Sequence, residues 1–377
     1  MTAETVTPPP GTGLARPARR ALFAIPAAAA LFTGLDGALS LLGVWSPIPG
    51  EGTAEAHGVL MTVGFVGTLI ALERAVAARR RAAFCAPALL STGALLMLAP
   101  HARDAGALLL VLGAAALVAV YVVLWQRRHD QAVEVQGLGA VLALGAAICL
   151  LGGVPVGQLV PWLAGFLVLT IAGERLELAA LHMPPQAGRM LVLGAAAVAC
   201  GALIALLWPV FTFCFGIALA GVAVWLIRHD VARRTVRARG PARFMALAML
   251  AGQAWLAVAA GLWLVAGRST VSDALAEALR DATAHAVFLG FAMSMVMAHA
   301  PVVLPAVARI PLPFHRGMYL PLLLLHGGLV VRLWLGDALG IRLAWQAGGV
   351  VTVLSLVGFL AVVAWSVLRG GTKRGAA

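Results

Sequence analysis

Charge is scarce in this chain. Only 11% of its 377 residues are Asp, Glu, Lys or Arg, whereas 62% are hydrophobic. A soluble domain carries about 25% charged residues, so a water-soluble fold of this length is excluded. Lysine is nearly absent: Lys373 is the only one. The four cysteines, Cys85, Cys149, Cys200 and Cys214, show no C-x-x-C spacing. That excludes a disulfide framework and a thiolate zinc site. There is no P-loop, no G-x-S-x-G and no H-E-x-x-H, nor a Ser-His-Asp arrangement. Any chemistry of such a chain is expected to come from a cofactor rather than from a side-chain triad.

What is present is a succession of apolar runs. A membrane helix needs about 20 apolar residues to cross roughly 30 Å of hydrocarbon. Twelve runs meet that expectation: 21–45, 57–77, 83–99, 105–125, 137–154, 159–177, 188–208, 210–228, 243–266, 284–305, 317–335 and 342–368. They form one transmembrane domain over 21–368, between a Pro-rich tail at 1–20 and a second tail at 369–377. With the N-terminus inside, 22 of the 27 basic residues fall on the cytoplasmic side. This positive-inside asymmetry places both termini in the cytoplasm. A multi-pass protein of the cell inner (plasma) membrane is expected. The net charge of +12 then belongs to the cytoplasmic rim, close to anionic headgroups, and calls for no nucleic acid.

Two patterns recur at a fixed period. Gly64-Phe65 precedes Glu73-Arg74 by seven residues. Gly165-Phe166 precedes Glu174-Arg175 in the same way, and Gly290-Phe291 precedes His299. The motif Trp-x-x-Arg-His-Asp closes one run at 125–130 and another at 225–230. Offsets of 101 and 100 residues indicate repetition of a four-helix unit. The pseudo-repeats would cover about 21–130, 131–240 and 241–368.

Ionisable groups within hydrocarbon are costly, and each is a functional candidate. His57 and His285 stand at the outer ends of the second and tenth runs. Imidazole suits haem iron and copper, and the two could be axial ligands of one haem. Arg332, near the outer end of the eleventh run, could pair with a propionate. His299 follows His285 by fourteen residues, which on an α-helix is about 21 Å away and about 40° off the same face. His326 lies near mid-membrane in the eleventh run and is a ligand candidate for haem or metal, as His299 is for metal. Glu73, Arg74, Glu174 and Arg175 form an inner group, with Glu177 and His182. They suit ion pairing at the interface or a proton entry point. The structural alternatives are histidines that hydrogen-bond to water or to a neighbouring helix, and snorkelling ion pairs.

These residues resemble a known family. Twelve helices in three groups of four are the architecture of haem-copper oxidase subunit I, whose second, sixth and tenth helices carry redox-centre histidines. The local sequence is more similar to NnrS proteins, membrane haem and copper proteins associated with nitric oxide stress and denitrification. Their H-x-x-x-M-x-x-G-F helix start resembles His57 to Phe65, and their H-A-x-x-x-G helix resembles His285 to Gly290. The resemblance implies an all-α membrane fold that binds haem, and copper as a second candidate, through His57, His285, His299 and His326. It implies a role in nitrogen-oxide or redox metabolism, with a redox partner or a second copy of the chain as candidate partners beside the lipid bilayer. The chain departs from the oxidases. Its seventh run has no histidine, its sixth only His182, and Tyr121 and Tyr319 are not placed to serve as the active-site tyrosine. Oxygen reduction is therefore not expected. A secondary transporter, or an assembly subunit without chemistry of its own, remains the alternative.

Overall fold

The computed structural model describes residues 22–48, 52–179, 183–266, 272–308 and 312–372. Among these, every regular element is helical. Eleven helices are long and apolar enough to cross a membrane, the pattern of a multi-pass membrane protein. In chain order they are α1 (Ala24–Leu41), α2 (Gly52–Ala78), α4 (Pro100–Arg128), α5 (Gln131–Leu151), α6 (Val156–Ala179), α7 (Gln186–Leu207), α8 (Pro209–His229), α9 (Pro241–Ala266), α10 (Asp273–Pro305), α11 (Arg316–Ala338) and α12 (Arg342–Arg369). The remaining expected run, 83–99, is the shorter helix α3 (Arg81–Leu96), which opens with a 3-10 turn. The last helix continues to Thr372, so the expected tail at 369–377 begins inside a helix. The expected tail at 1–20 and His182 lie outside the described residues.

Consecutive helices pack as antiparallel neighbours, and α12 returns against α1. Gln346 of α12 donates to the Leu42 carbonyl at 2.9 Å and ties the two ends together. Burial separates centre from rim. Within their most apolar windows α2 is 83% buried and α6 is 72% buried, against 28% for α7 and α12. The lipid-facing helices therefore surround α2 and α6.

The Gly-Phe steps explain how the inner helices fit. A Cβ at Gly64 would stand 2.8 Å from the Ala94 Cβ, one at Gly165 2.6 Å from Leu142, and one at Gly290 2.5 Å from Trp255. Each glycine lets a neighbour reach the helix axis, the small-residue packing that membrane interiors favour. The phenylalanines that follow, Phe65, Phe166 and Phe291, are all buried. Phe166 also reaches across to α2, where a Cβ on Gly67 would lie 3.4 Å from its ring.

Three stretches among the described residues wind wider than an α-helix. Leu60–Gly67 in α2, Ala286–Met293 in α10 and Val331–Ala338 in α11 wind as π-helix. Such wide turns are rare and often accompany functional sites. The first begins three residues after His57, the second directly after His285, and the third contains Arg332.

A candidate functional site at the histidine end

His57, His285 and Arg332 line one cavity of about 140 Å³. Its walls come from α1, α2, α6, α10, α11 and α12, and most are apolar, including Leu35, Met61, Leu163, Phe288 and Leu356. Thr62 and Thr352 are the other polar lining residues.

Backbone contacts fix how each histidine can act. The His57 Nδ1 lies 2.7 Å from the Gly34 carbonyl of α1. The His285 Nδ1 lies 2.8 Å from the Asp281 carbonyl one turn earlier. A carbonyl only accepts, so in both rings Nδ1 carries the proton and Nε2 holds the lone pair. That tautomer is the one a metal-ligating imidazole needs, with the second nitrogen oriented by a hydrogen bond. Gly34 is where α1 comes close to α2, since a Cβ there would meet Met61 at 2.8 Å.

The two rings differ in their further surroundings. His285 Nδ1 also lies 3.1 Å from the Asp281 carboxylate. That carboxylate is held by Arg332 through Nε at 3.3 Å and Nη2 at 2.9 and 3.1 Å. Trp345 of α12 donates to it at 3.2 Å, and the Arg332 guanidinium lies over the Trp345 ring at 4.8 Å. Arg332, considered from sequence as a propionate partner, thus has two of its three nitrogens committed to Asp281. Its Nη1 remains, beside Gly349 on the cavity wall. Asp281, Trp345 and the Gly34 carbonyl were not singled out by sequence reasoning. Asp281 had a signal, being four residues before His285 on the same helical face.

His326 lies elsewhere. It is absent from the cavity lining, and its Nδ1 accepts from Trp255 Nε1 at 3.0 Å. The neutral ring therefore carries its proton on Nε2, which is buried with no partner among the described residues. Neither nitrogen then offers a free lone pair to a metal. This corrects its expected place beside His57 and His285.

His299 is also separate from the cavity. The π-helical winding of Ala286–Met293 breaks the 100° step that would align it with His285. Its Nδ1 donates to the Met295 carbonyl at 2.6 Å, and Nε2 is buried without a partner among the described residues. The charge of Arg175 acts on it, an unfavourable setting for a cation. Among the described residues no group of three or more His, Cys, Asp or Glu could hold a metal ion.

The Glu-Arg steps meet at the opposite end of the bundle but are not equivalent. Arg74 is buried and surrounded by Glu73 at 2.7 Å, Gln136 at 3.1 Å, Glu177 at 3.3 Å and Glu174 at 3.8 Å. Arg175 contacts the Met249 sulfur at 3.8 Å, while its Nε and Nη2 have no partner among the described residues. The nearby Asp230 carboxyl, just past the end of α8, is pushed up by burial. Its hydrogen bonds from the Ala232 amide and Gln253, and the charge of Arg175, act in the opposite direction.

Residues 20–368 match a family model described as a domain of unknown function (DUF8744), and the chain belongs to that family. No match was found among curated proteins or among solved structures.

Proposed function

We propose that this DUF8744 member is a haem-binding membrane protein of NnrS type, with one haem held between His57 and His285. The observation that carries the reading is the pair of histidines on one apolar cavity, each with Nδ1 tied to a backbone carbonyl and Nε2 left to ligate. The donor set fits the group. Two imidazoles suit iron, apolar walls suit a macrocycle, and the Arg332 Nη1 on the cavity wall suits a propionate. Such a haem would supply one-electron transfer, with His57 and His285 as the residues that hold it. A role in redox or nitrogen-oxide metabolism follows from that and from the NnrS-like helix starts. Copper has less support, since His299 offers one nitrogen beside a cation.

The wider arrangement belongs to the same proposal. The three Gly-Phe helices α2, α6 and α10 would head three four-helix units, laid out as in haem-copper oxidase subunit I. The positive-inside distribution supports cytoplasmic termini in an inner membrane, with the haem near the opposite face. A secondary transporter is the second reading. It is favoured by the buried donors of Arg175, unpartnered among the described residues, whose charge acts on His299 of the proline-containing helix α10.

The experiment is expression with ample haem, purification, and an absorbance spectrum with haem quantitation. The expected result is a low-spin haem near one per chain. His57→Ala and His285→Ala should each abolish that signature, and His326→Ala should leave it intact. A colourless wild-type protein overturns the reading.

A further inference from the structure

The two Trp-x-x-Arg-His-Asp motifs have one sequence but two structures. In both, the aspartate accepts from the amide two residues on, Asp130 from Ala132 and Asp230 from Ala232, each at 2.9 Å. The tryptophans diverge. Trp125 is 36% exposed, stands edge-on to His129 at 4.2 Å, and donates to the Glu134 carboxylate at 3.0 Å. Trp225 is 5% exposed and has swung inward to donate to the Ala187 carbonyl of α7 at 2.9 Å.

That swing leaves a groove of about 230 Å³ between α7 and α8. Its floor includes Met190, Gly194 and Gly221, and Trp225, Arg228 and His229 close its polar end. A Cβ on Gly221 would meet nothing within 4 Å, so the groove is open along that helix. Arg228 is exposed and has no hydrogen-bond or ion-pair partner among the described residues. His229 turns its Nδ1 back to the Trp225 carbonyl at 2.9 Å. No carboxylate lines the groove, whereas Glu134 is drawn into the first copy of the motif.

We infer that the α7–α8 groove is a binding site for an anionic phospholipid, with the phosphate on Arg228 and an acyl chain along Gly194 and Gly221. Charge and shape agree on that occupant. A lone guanidinium at the end of a lipid-facing apolar channel meets a phosphodiester in a bidentate way. The channel below it takes a hydrocarbon chain, which a soluble anion does not offer. The site is independent of the haem reading.

The test is native mass spectrometry of the full chain in detergent, with phosphatidylglycerol and phosphatidylcholine as competing lipids. Wild type should retain phosphatidylglycerol preferentially. An arginine at a charged membrane surface contributes about 1 kcal/mol, so Arg228→Gln should lower retention about fivefold. Arg128→Gln, in the first copy of the motif, should leave it unchanged. Gly221→Leu fills the groove without touching the cation and should lower retention as much. Its fold is checked by elution volume and helicity, and the open space at that position tolerates the side chain. Equal losses in Arg128→Gln and Arg228→Gln overturn the site in favour of a diffuse charge effect. Full competition by inorganic phosphate, with Gly221→Leu unaffected, overturns the lipid as occupant.

Discussion

Arg332 grips Asp281 from the neighbouring helix, with Nη2 at 2.9 Å and Nε at 3.3 Å from the same carboxylate oxygen. The arginine side chain is 7% exposed and the aspartate 27%. This pair joins α10 to α11, and Trp345 adds α12. It also sets His285 apart from His57, whose Nδ1 bonds a neutral carbonyl and no carboxylate.

Breaking the pair should destabilise the fold and shift any bound haem. Removing one partner of a buried ion pair costs about 3–5 kcal/mol, and the exposure of Asp281 puts Arg332→Gln near the lower end. Thermal unfolding in detergent would show the loss. Asp281→Asn removes the negative charge behind His285 and makes that imidazole a weaker donor. The uncompensated Arg332 acts in the same direction. The midpoint potential of the haem should therefore rise in Asp281→Asn, and spectroelectrochemical titration reads it. An unchanged potential in a folded, haem-loaded variant counts against His285 as an axial ligand.

His326 should behave as a structural histidine. Trp255→Phe deletes the donor to its Nδ1 while keeping an aromatic ring, and the lost hydrogen bond alone costs about 1 kcal/mol. The haem spectrum should be indifferent, because His326 does not line the cavity. A changed axial-ligand signature in Trp255→Phe would return His326 to the candidate ligands.

The membrane fold was legible because hydrocarbon imposes one rule on every span. Residues 241–266, for example, are as continuous in hydropathy as in structure. His57 and His285 were legible as rare polar groups at one end of two helices. His326 was equally rare, yet its role depends on Trp255, a partner 71 residues away that no periodicity reveals. The angle expected between His285 and His299 assumes 100° per residue, which the π-helical stretch between them does not keep. The eight π-helical residues between them, AVFLGFAM, give no local warning of that winding. The repeated motif at 125–130 and 225–230 shows the same limit, since identical side chains point outward in one copy and inward in the other.

The Gly-Phe repeat should be intolerant of even a methyl group. Gly290→Ala sets a Cβ 2.5 Å from Trp255 Cγ, and Gly165→Ala sets one 2.6 Å from Leu142. Overpacking of this kind costs about 1–3 kcal/mol, visible as a lower melting temperature in detergent. Gly261→Ala is the matched control, since its Cβ meets nothing within 4 Å. There the better helix propensity of alanine should be neutral or stabilising, by up to about 1 kcal/mol. Similar losses at Gly290 and Gly261 would show that the repeat is not a packing device.

Arg74 holds the other end of the bundle by charge balance. Glu73, Glu174 and Glu177 all lie within 4 Å of its guanidinium, and Gln136 joins from α5. Arg74→Gln leaves three carboxylates facing one another with no cation between them. The loss should reach about 3–5 kcal/mol, the range for a broken buried pair. Glu177 is the most exposed of the three, at 44%, and Glu174 the least, at 17%. Water screens the first and not the second. Adding Glu174→Gln to Arg74→Gln should therefore recover more stability than adding Glu177→Gln, and a double-mutant cycle on melting temperature separates the two. Equal recovery would mean that the cluster is solvated as a whole, and that Arg74 is an interfacial cation rather than the centre of a buried network.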